Sequence, residues 1–259
     1  MTEAARREPG TPCWVSLMVR GLDATKDFYG ELFGWEFQPG PPQLGPYVRA
    51  LLDGREVAGI GRLPTDRGLP GAWTAYLASD DADRTAESVR CGGGTVAVGP
   101  LDAGDAGRLV ICSDPSGAVF GVWQAAAFPG TAPVAEGTPG APVWNELLTH
   151  ESESVVKFYR TVFGHEPEPA APAGQDRVAL LVGGRPVASV RGVGTDLPRD
   201  RGAHWMTWFE VADPDAAARR VEELGGRVLR APRDGAEGRT ATVADPEGAV
   251  FTIVRSAGR

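Results

Sequence analysis

Residues 25–36 read TKDFYGELFGWE, and residues 155–166 read VVKFYRTVFGHE, 130 positions later. The same spacing relates GREVAGIGRLPTD (54–66) to GRPVASVRGVGTD (184–196). A spacing of 132 relates GAWTAYLASDDAD (71–83) to AHWMTWFEVADPD (203–215), and one of 131 relates DPSGAVFGVW (114–123) to DPEGAVFTIV (245–254). Registration this steady is the mark of a tandem duplication. It sets out domains over 11–124 and 141–255. The Ala-, Gly- and Pro-rich stretch AAAFPGTAPVAEGTPG falls between them as a linker, 125–140. MTEAARREPG (1–10) is polar, without the apolar centre of a secretory signal, and reads as a short disordered lead-in.

A weaker repeat lies inside each half. Four times a short apolar strand (CWVSLMV, AWTAYLA, VWNELLT, HWMTWFEV) is followed by a helix start and then by further strands. The expected starts are Asp23, Asp81, Ser152 or Ser154, and Asp213, residue types that accept from free helical N–H groups. Phe28, Leu32 and Phe33, and again Val155, Phe158 and Val162, keep a helical apolar face. CGGGTV and LGGRV close the second and fourth helices, and DPSG and DPEG suit type I turns. The fold class is therefore α+β, four tandem βαβββ units, two per domain.

A net charge of −8, with no periodic face of Lys and Arg, argues against nucleic acid or an anionic membrane as partner. No apolar run is long enough to span a bilayer as a helix. Cys13, Cys91 and Cys112 form no CxxC pair and read as reduced, buried thiols of a cytoplasmic protein. His-x-His, HExxH, GxSxG, Walker and dinucleotide motifs are absent from the sequence.

Paired βαβββ units, FYxxxFGW-like helices and a DPxG turn before the last strand resemble the glyoxalase/bleomycin-resistance/dioxygenase group, the vicinal oxygen chelate superfamily. The likeness runs over about residues 11–124 and 141–255, and is greatest to two-domain glyoxalase-like members. It implies that each pair of units curls into a cup. In metal-binding members, His, Gln or Glu near the start of each first strand and Glu in each last strand hold a divalent ion. Transferred by position, those sites fall on Trp14, Gly59, Thr74 and Gly121, then on Trp144, Ser189, Met206 and Thr252. None supplies imidazole, carboxylate or thiolate. Neighbouring Cys13, Val15 and Val143 do not restore a set, and His204 and Glu146 stand near it alone. The expectation is a protein without metal or other cofactor.

Strand alternation puts Trp14, Ser16, Met18, Gly59, Gly61, Thr74, Tyr76, Gly121 and Trp123 on the first cup's face. Glycines there leave volume and aromatics offer flat walls, which suits a planar or largely apolar small molecule. Ordinary core filling explains the same residues equally well. The second face carries Trp144, Glu146, Ser189, Arg191, Met206, Trp208, Glu210 and Thr252. Glu146 and Glu210 are candidate acid–base groups, and Arg191 a partner to them or to a substrate anion. A structural ion pair, or charges at exposed strand ends, is the other explanation. His150 is expected in solvent, His165 at a packing position equivalent to Trp35, and His204 near a cup mouth.

Three functions stay open: metal-free binding or conversion (isomerase, cyclase or lyase) of an apolar or aromatic metabolite, resistance-type sequestration without catalysis, and a metal-dependent glyoxalase, lyase or dioxygenase. The expected partner is a small metabolite, and a homo-oligomer stays open.

Overall fold

The computed structural model describes residues 7–63, 71–170, 175–197 and 202–257. Four βαβββ modules follow one another. The first is β1 (Pro12–Val19), α1 (Leu22–Phe33), β2 (Glu36–Pro39), β3 (Tyr47–Leu52) and β4 (Arg55–Arg62). The second is β5 (Ala72–Ala78), α2 (Ala82–Cys91), β6 (Thr95–Asp102), β7 (Gly107–Ser113) and β8 (Val119–Ala125). The third is β9 (Pro142–Thr149), α3 (Glu153–Phe163), β10 (Glu166–Pro169), β11 (Arg177–Val182) and β12 (Arg185–Gly192). The fourth is β13 (His204–Glu210), α4 (Pro214–Glu223), β14 (Arg227–Gly235), β15 (Gly238–Ala244) and β16 (Val250–Ser256). Two eight-stranded mixed sheets result, ordered β2-β3-β4-β1-β5-β8-β7-β6 and β10-β11-β12-β9-β13-β16-β15-β14.

By contact the chain forms two compact units. One takes the residues through Trp14 with Thr74–Gly130 and Asn145–Met206; the other takes Val15–Trp73, Thr131–Trp144 and Thr207–Arg259. Each unit thus has its core from a module of each half. Phe28, Tyr29, Phe33 and Trp35 pack with Phe209, Phe251 and Ile253 in one. Val155, Phe158 and Tyr159 pack with Ala86, Val89, Phe120 and Val122 in the other. Leu32 and Val162 only border these cores, while Tyr29 and Tyr159 are wholly buried in them.

Both tyrosines solve the same problem. A buried hydroxyl needs partners, and each finds them in a DPxG aspartate and a strand-start tryptophan. Tyr29 Oη donates to Asp245 Oδ2 at 3.1 Å and accepts from Trp73 Nε1 at 3.0 Å. Tyr159 Oη donates to Asp114 Oδ2 at 3.2 Å and accepts from Trp205 Nε1 at 3.0 Å. The other aspartate oxygen accepts from the turn it closes, through Ala249 N at 2.8 Å or Ala118 N at 3.0 Å. Burial, with the aspartate charge adding, keeps both phenols well above their ordinary pKa, so they stay protonated donors. The repeated motifs FY, W and DPxG are thus parts of one buried chain of hydrogen bonds in each unit.

Helix starts divide into two kinds. Asp81 and Asp213 are N-caps, accepting from Arg84 N and from Asp215 N and Ala216 N. Asp23 is not a cap: it lies within the first turn of α1, Gly21 is the N-cap, and Glu247 accepts from Arg20 N and Gly21 N. Ser152 stands at the N-cap of α3 without capping it, because its hydroxyl bonds the Asp176 carboxylate instead. Cys13 and Cys112 are buried with thiols pushed up to about 12, whereas Cys91 is exposed at the end of α2, against expectation.

Of the expected lead-in, residues 1–6 lie outside the described residues; Gly10 is buried, its N–H donating to Ala78 O at 2.9 Å. In the 125–140 stretch, Phe128 O accepts from Trp123 Nε1 and Gly140 O from Trp35 Nε1, each at 2.9 Å. Among the described residues no helix is long and apolar enough to cross a membrane.

Candidate functional site

The sites transferred by position lie on strand pairs whose register brings the expected side chains onto one face. In the first module β1 and β4 run parallel, with Ser16 opposite Gly59 and Met18 opposite Gly61. β3 runs antiparallel to β4 and sets Tyr47 opposite Gly61. The volume expected over these glycines is not open. A Cβ at Gly59 would stand 1.7 Å from Tyr47 Oη, and one at Gly61 would stand 2.7 Å from Met18 Sδ. The tyrosine ring lies on the glycine backbone because no side chain holds it off.

The second module repeats the device. Tyr76 is opposite Gly121 on parallel β5 and β8, and a Cβ at Gly121 would stand 2.1 Å from Tyr76 Cδ1. Trp14 meets Phe128 edge-on at 4.9 Å between ring centroids, and Trp123 meets the same ring at 5.9 Å. Phe128 was not foreseen as a member of this cluster. Thr74 is half-buried.

The third module answers the same positions with charge. Glu146 is opposite Ser189 on parallel β9 and β12, and Arg177 is opposite Arg191 on antiparallel β11 and β12. Glu146 is 1 % exposed. Its Oε1 lies 2.9 Å from Arg177 Nε and accepts from Ser189 Oγ at 3.3 Å, and its Oε2 lies 3.1 Å from Arg191 Nη2. The predicted pair Glu146–Arg191 is therefore brought together, and Arg177 joins it. Sequence reasoning missed Arg177, although it stands 130 positions after Tyr47, the spacing of the repeat.

In the fourth module Trp208 is opposite Thr252 on parallel β13 and β16, and both are buried. Trp208 Nε1 is buried without an acceptor among the described residues. Glu210 ends β13 with a partner of its own, accepting from Ser256 N at 3.0 Å and Ser256 Oγ at 2.6 Å. Met206 is buried and Trp144 half-buried. His150 is exposed, His165 is buried with Nε2 2.9 Å from Gly10 O, and half-buried His204 holds Gly202 O at 2.8 Å.

Do these residues fit the divalent ion that the fold implies? Among the described residues no three of His, Cys, Asp and Glu gather as ligands. Gly59 and Gly121 carry rings where donors would stand, and both oxygens of Glu146 face guanidinium groups whose charge repels a cation. The donor set does not suit the ion.

Residues 13–122 match the model of the glyoxalase/bleomycin resistance protein/dioxygenase superfamily, and residues 146–254 match that of a glyoxalase-like domain. The chain is 38 % identical over 266 residues to a Mycobacterium tuberculosis protein named "Putative glyoxylase CFP32", covering 99 % of each. It is 36 % identical to the anthracycline biosynthesis protein DauV of a Streptomyces species, covering 96 % of this chain and 94 % of that one. A solved structure of similar fold is the Mn(II)-bound glyoxalase of Novosphingobium aromaticivorans, with TM-score 0.64, 20 % identity and coverage of 95 % and 82 %.

Proposed function

Because the chain belongs to the glyoxalase/bleomycin resistance protein/dioxygenase superfamily, we propose that it binds or converts a small, largely apolar or aromatic metabolite, and does so without a metal. The observation that carries this reading is that the family's donor positions hold no ligand set: rings lie over Gly59 and Gly121 in the first half, and Trp144, Ser189, Met206 and Thr252 stand there in the second, where the nearby Glu146 is held by arginines. A scaffold of this kind retains walls, dipoles and charges for holding a ligand after Lewis-acid chemistry is gone. Trp208 supports the reading from a different element. A buried indole N–H without an acceptor costs about 1–3 kcal/mol, and a ligand carbonyl or hydroxyl would recover that cost. Streptomyces relatives named for anthracycline biosynthesis favour a planar polycyclic ligand.

Acid–base conversion would fall to Glu146 or Glu210, with Arg191 holding developing negative charge. Sequestration alone needs only the walls. The test is quenching of tryptophan fluorescence by anthracyclines and smaller quinones in the presence of chelator, followed by product analysis. Binding that persists with chelator supports the reading, and turnover under the same condition adds an activity to it. Binding or turnover that appears only after metal is added refutes it. Trp208→Phe is expected to weaken a carbonyl-bearing ligand about tenfold, the worth of one recovered hydrogen bond.

A further inference from the structure

We infer that the ligand lies across the fourth module, on the sheet face opposite α4, and that this face selects a molecule with two distinct ends. Trp208 donates to a carbonyl or hydroxyl oxygen at one end. Arg230 and Arg233 hold a carboxylate or phenolate at the other. The inference rests on the small-molecule reading above, and adds to it the face used and the chemistry of each end.

Strand register carries the first step. Trp208, Thr252, Thr242 and Arg230 stand directly opposite one another on β13, β16, β15 and β14, one row across four strands. Members of such a row share a face of the sheet. Phe209, Ile253 and Val243, which alternate with them, pack in the core with Ala218 and Val221 of α4, so the row faces the other way. Neighbouring strands are about 4.8 Å apart, which makes the row about 14 Å long. That length suits a ligand of several fused rings.

Both ends of the row hold donors that the fold leaves unused. Trp208 is 8 % exposed, and its Nε1 has no acceptor among the described residues. Arg230 is exposed on the outer strand, as is Arg233 opposite Thr240 in the next row, and neither forms an ion pair among the described residues. Carboxylates are not scarce, since the chain has a net charge of −8. The one in the row of Arg233, Glu210, is engaged by Ser256 N and Oγ instead. Burial is graded along the row, from buried Trp208 and Thr252 through half-buried Thr242 to exposed Arg230. A ligand laid on it keeps its charge at the wet end, where desolvation costs least, and puts a neutral oxygen at the dry end.

The second module shows the same row without these groups. There it reads Tyr76, Gly121, Ile111 and Val98, and Leu101 stands 132 positions before Arg233. Charge as such does not distinguish the two modules. Arg108 pairs with Asp83 of α2 and Arg239 with Asp215 of α4, both on the helix side. What differs is the opposite face, apolar along the row in one module and hydrogen-bonding in the other. The fold accepts exposed Val98 and Leu101 at the places of Arg230 and Arg233, so it does not itself require cations there.

The test titrates the full chain with anthraquinone-2-carboxylate, anthraquinone-2-carboxamide and anthracene-2-carboxylate by calorimetry, with chelator present. The first probe carries both recognised ends, and each of the others lacks one. It is expected to bind about fivefold more tightly than the carboxamide, the worth of an exposed charged contact. Against the anthracene the expected factor is about ten, the worth of one recovered hydrogen bond. Replacing both arginines, Arg230→Gln with Arg233→Gln, should remove the first difference and leave the second. Both side chains are exposed, so folding is not at stake in that variant. Trp208→Phe should remove the second difference and leave the first; if it fails to fold, the wild-type comparison with the anthracene still decides that end. Added salt should shrink the first difference alone. Equal binding of the three probes by the wild-type protein, or either difference surviving its own substitution, overturns the inference and leaves the broader reading standing. If none of the probes binds, the reading of a planar ligand falls and this inference falls with it.

Discussion

The first and third modules are copies of one βαβββ unit that close the same sheet face in opposite ways. Ser16, Tyr47, Gly59 and Gly61 close it with a phenol ring laid on glycine; Glu146, Arg177, Ser189 and Arg191 close it with a buried ion cluster. The second and fourth modules divide likewise, Tyr76 over Gly121 against Trp208 beside Thr252. At these matched positions the first module sets a ring where the third sets a carboxylate and two guanidiniums, and the first module's own ion pair, Arg49 with Glu56, lies elsewhere on its β3–β4 hairpin. The difference teaches where to look for function: at the positions where one module carries charge and its copy carries none.

The largest expected effect is at the ion cluster. Glu146→Ala leaves two guanidiniums facing each other across strands and should cost about 3–5 kcal/mol, the range for removing one partner of a buried pair. Its counterpart Ser16 is a buried, uncharged hydroxyl, and Ser16→Ala should cost about 1 kcal/mol, since no ion is left unpaired. Denaturant midpoints measure both, and similar costs would erase the contrast between the modules.

Gly59→Ala and Gly121→Ala come next, each expected to destabilise by about 1–3 kcal/mol through overpacking against Tyr47 or Tyr76. Ser189→Ala, at the place equivalent to Gly59, creates no such clash. A neutral Gly59→Ala in thermal unfolding would mean that the ring does not rest on the glycine.

Where the two units agree, the effects should agree. Tyr29→Phe and Tyr159→Phe each orphan a buried tryptophan N–H and an aspartate oxygen, and each should lose about 1–2 kcal/mol. Unequal losses would show that the two hydrogen-bond chains are not equivalent supports.

The smallest effect separates Trp35 from His165, which hold equivalent carbonyls, Gly140 O and Gly10 O, each at 2.9 Å. Burial lowers the His165 pKa, so below about pH 6.5, the ordinary histidine value, the unfolded chain takes up a proton that the folded chain refuses. The stability contributed by His165 is full above that value and is lost as pH falls toward the lowered folded value. His165→Gln keeps an N–H for Gly10 O and removes the titration. The urea midpoint of the variant should therefore fall less than that of the wild type between neutral and mildly acidic pH, and equal falls would assign the loss to other groups.

Much of this was legible in the sequence because it repeats at fixed spacing. Alternation along β1, β4, β9 and β12 set Ser16 with Gly59 and Glu146 with Ser189, since parallel neighbours in register share a face. What escaped was what depends on a third strand. Tyr47 and Arg177 lie on hairpin partners, and their reach over β4 and β12 follows from pairing register rather than from periodicity. The glycines looked like room for the same reason: an absent side chain is visible in a sequence, and the ring that takes its place is not. The link from Tyr29 to Asp245 joins residues 216 positions apart, and nothing local announces it.

The central claim is that metal chemistry has been replaced at the family's donor positions, and elemental analysis of protein purified without chelators tests it most directly. The account predicts Fe, Ni, Zn and Mn well below one equivalent per chain, with ligand affinity unchanged by chelator. A near-stoichiometric metal whose removal abolishes ligand binding would contradict it.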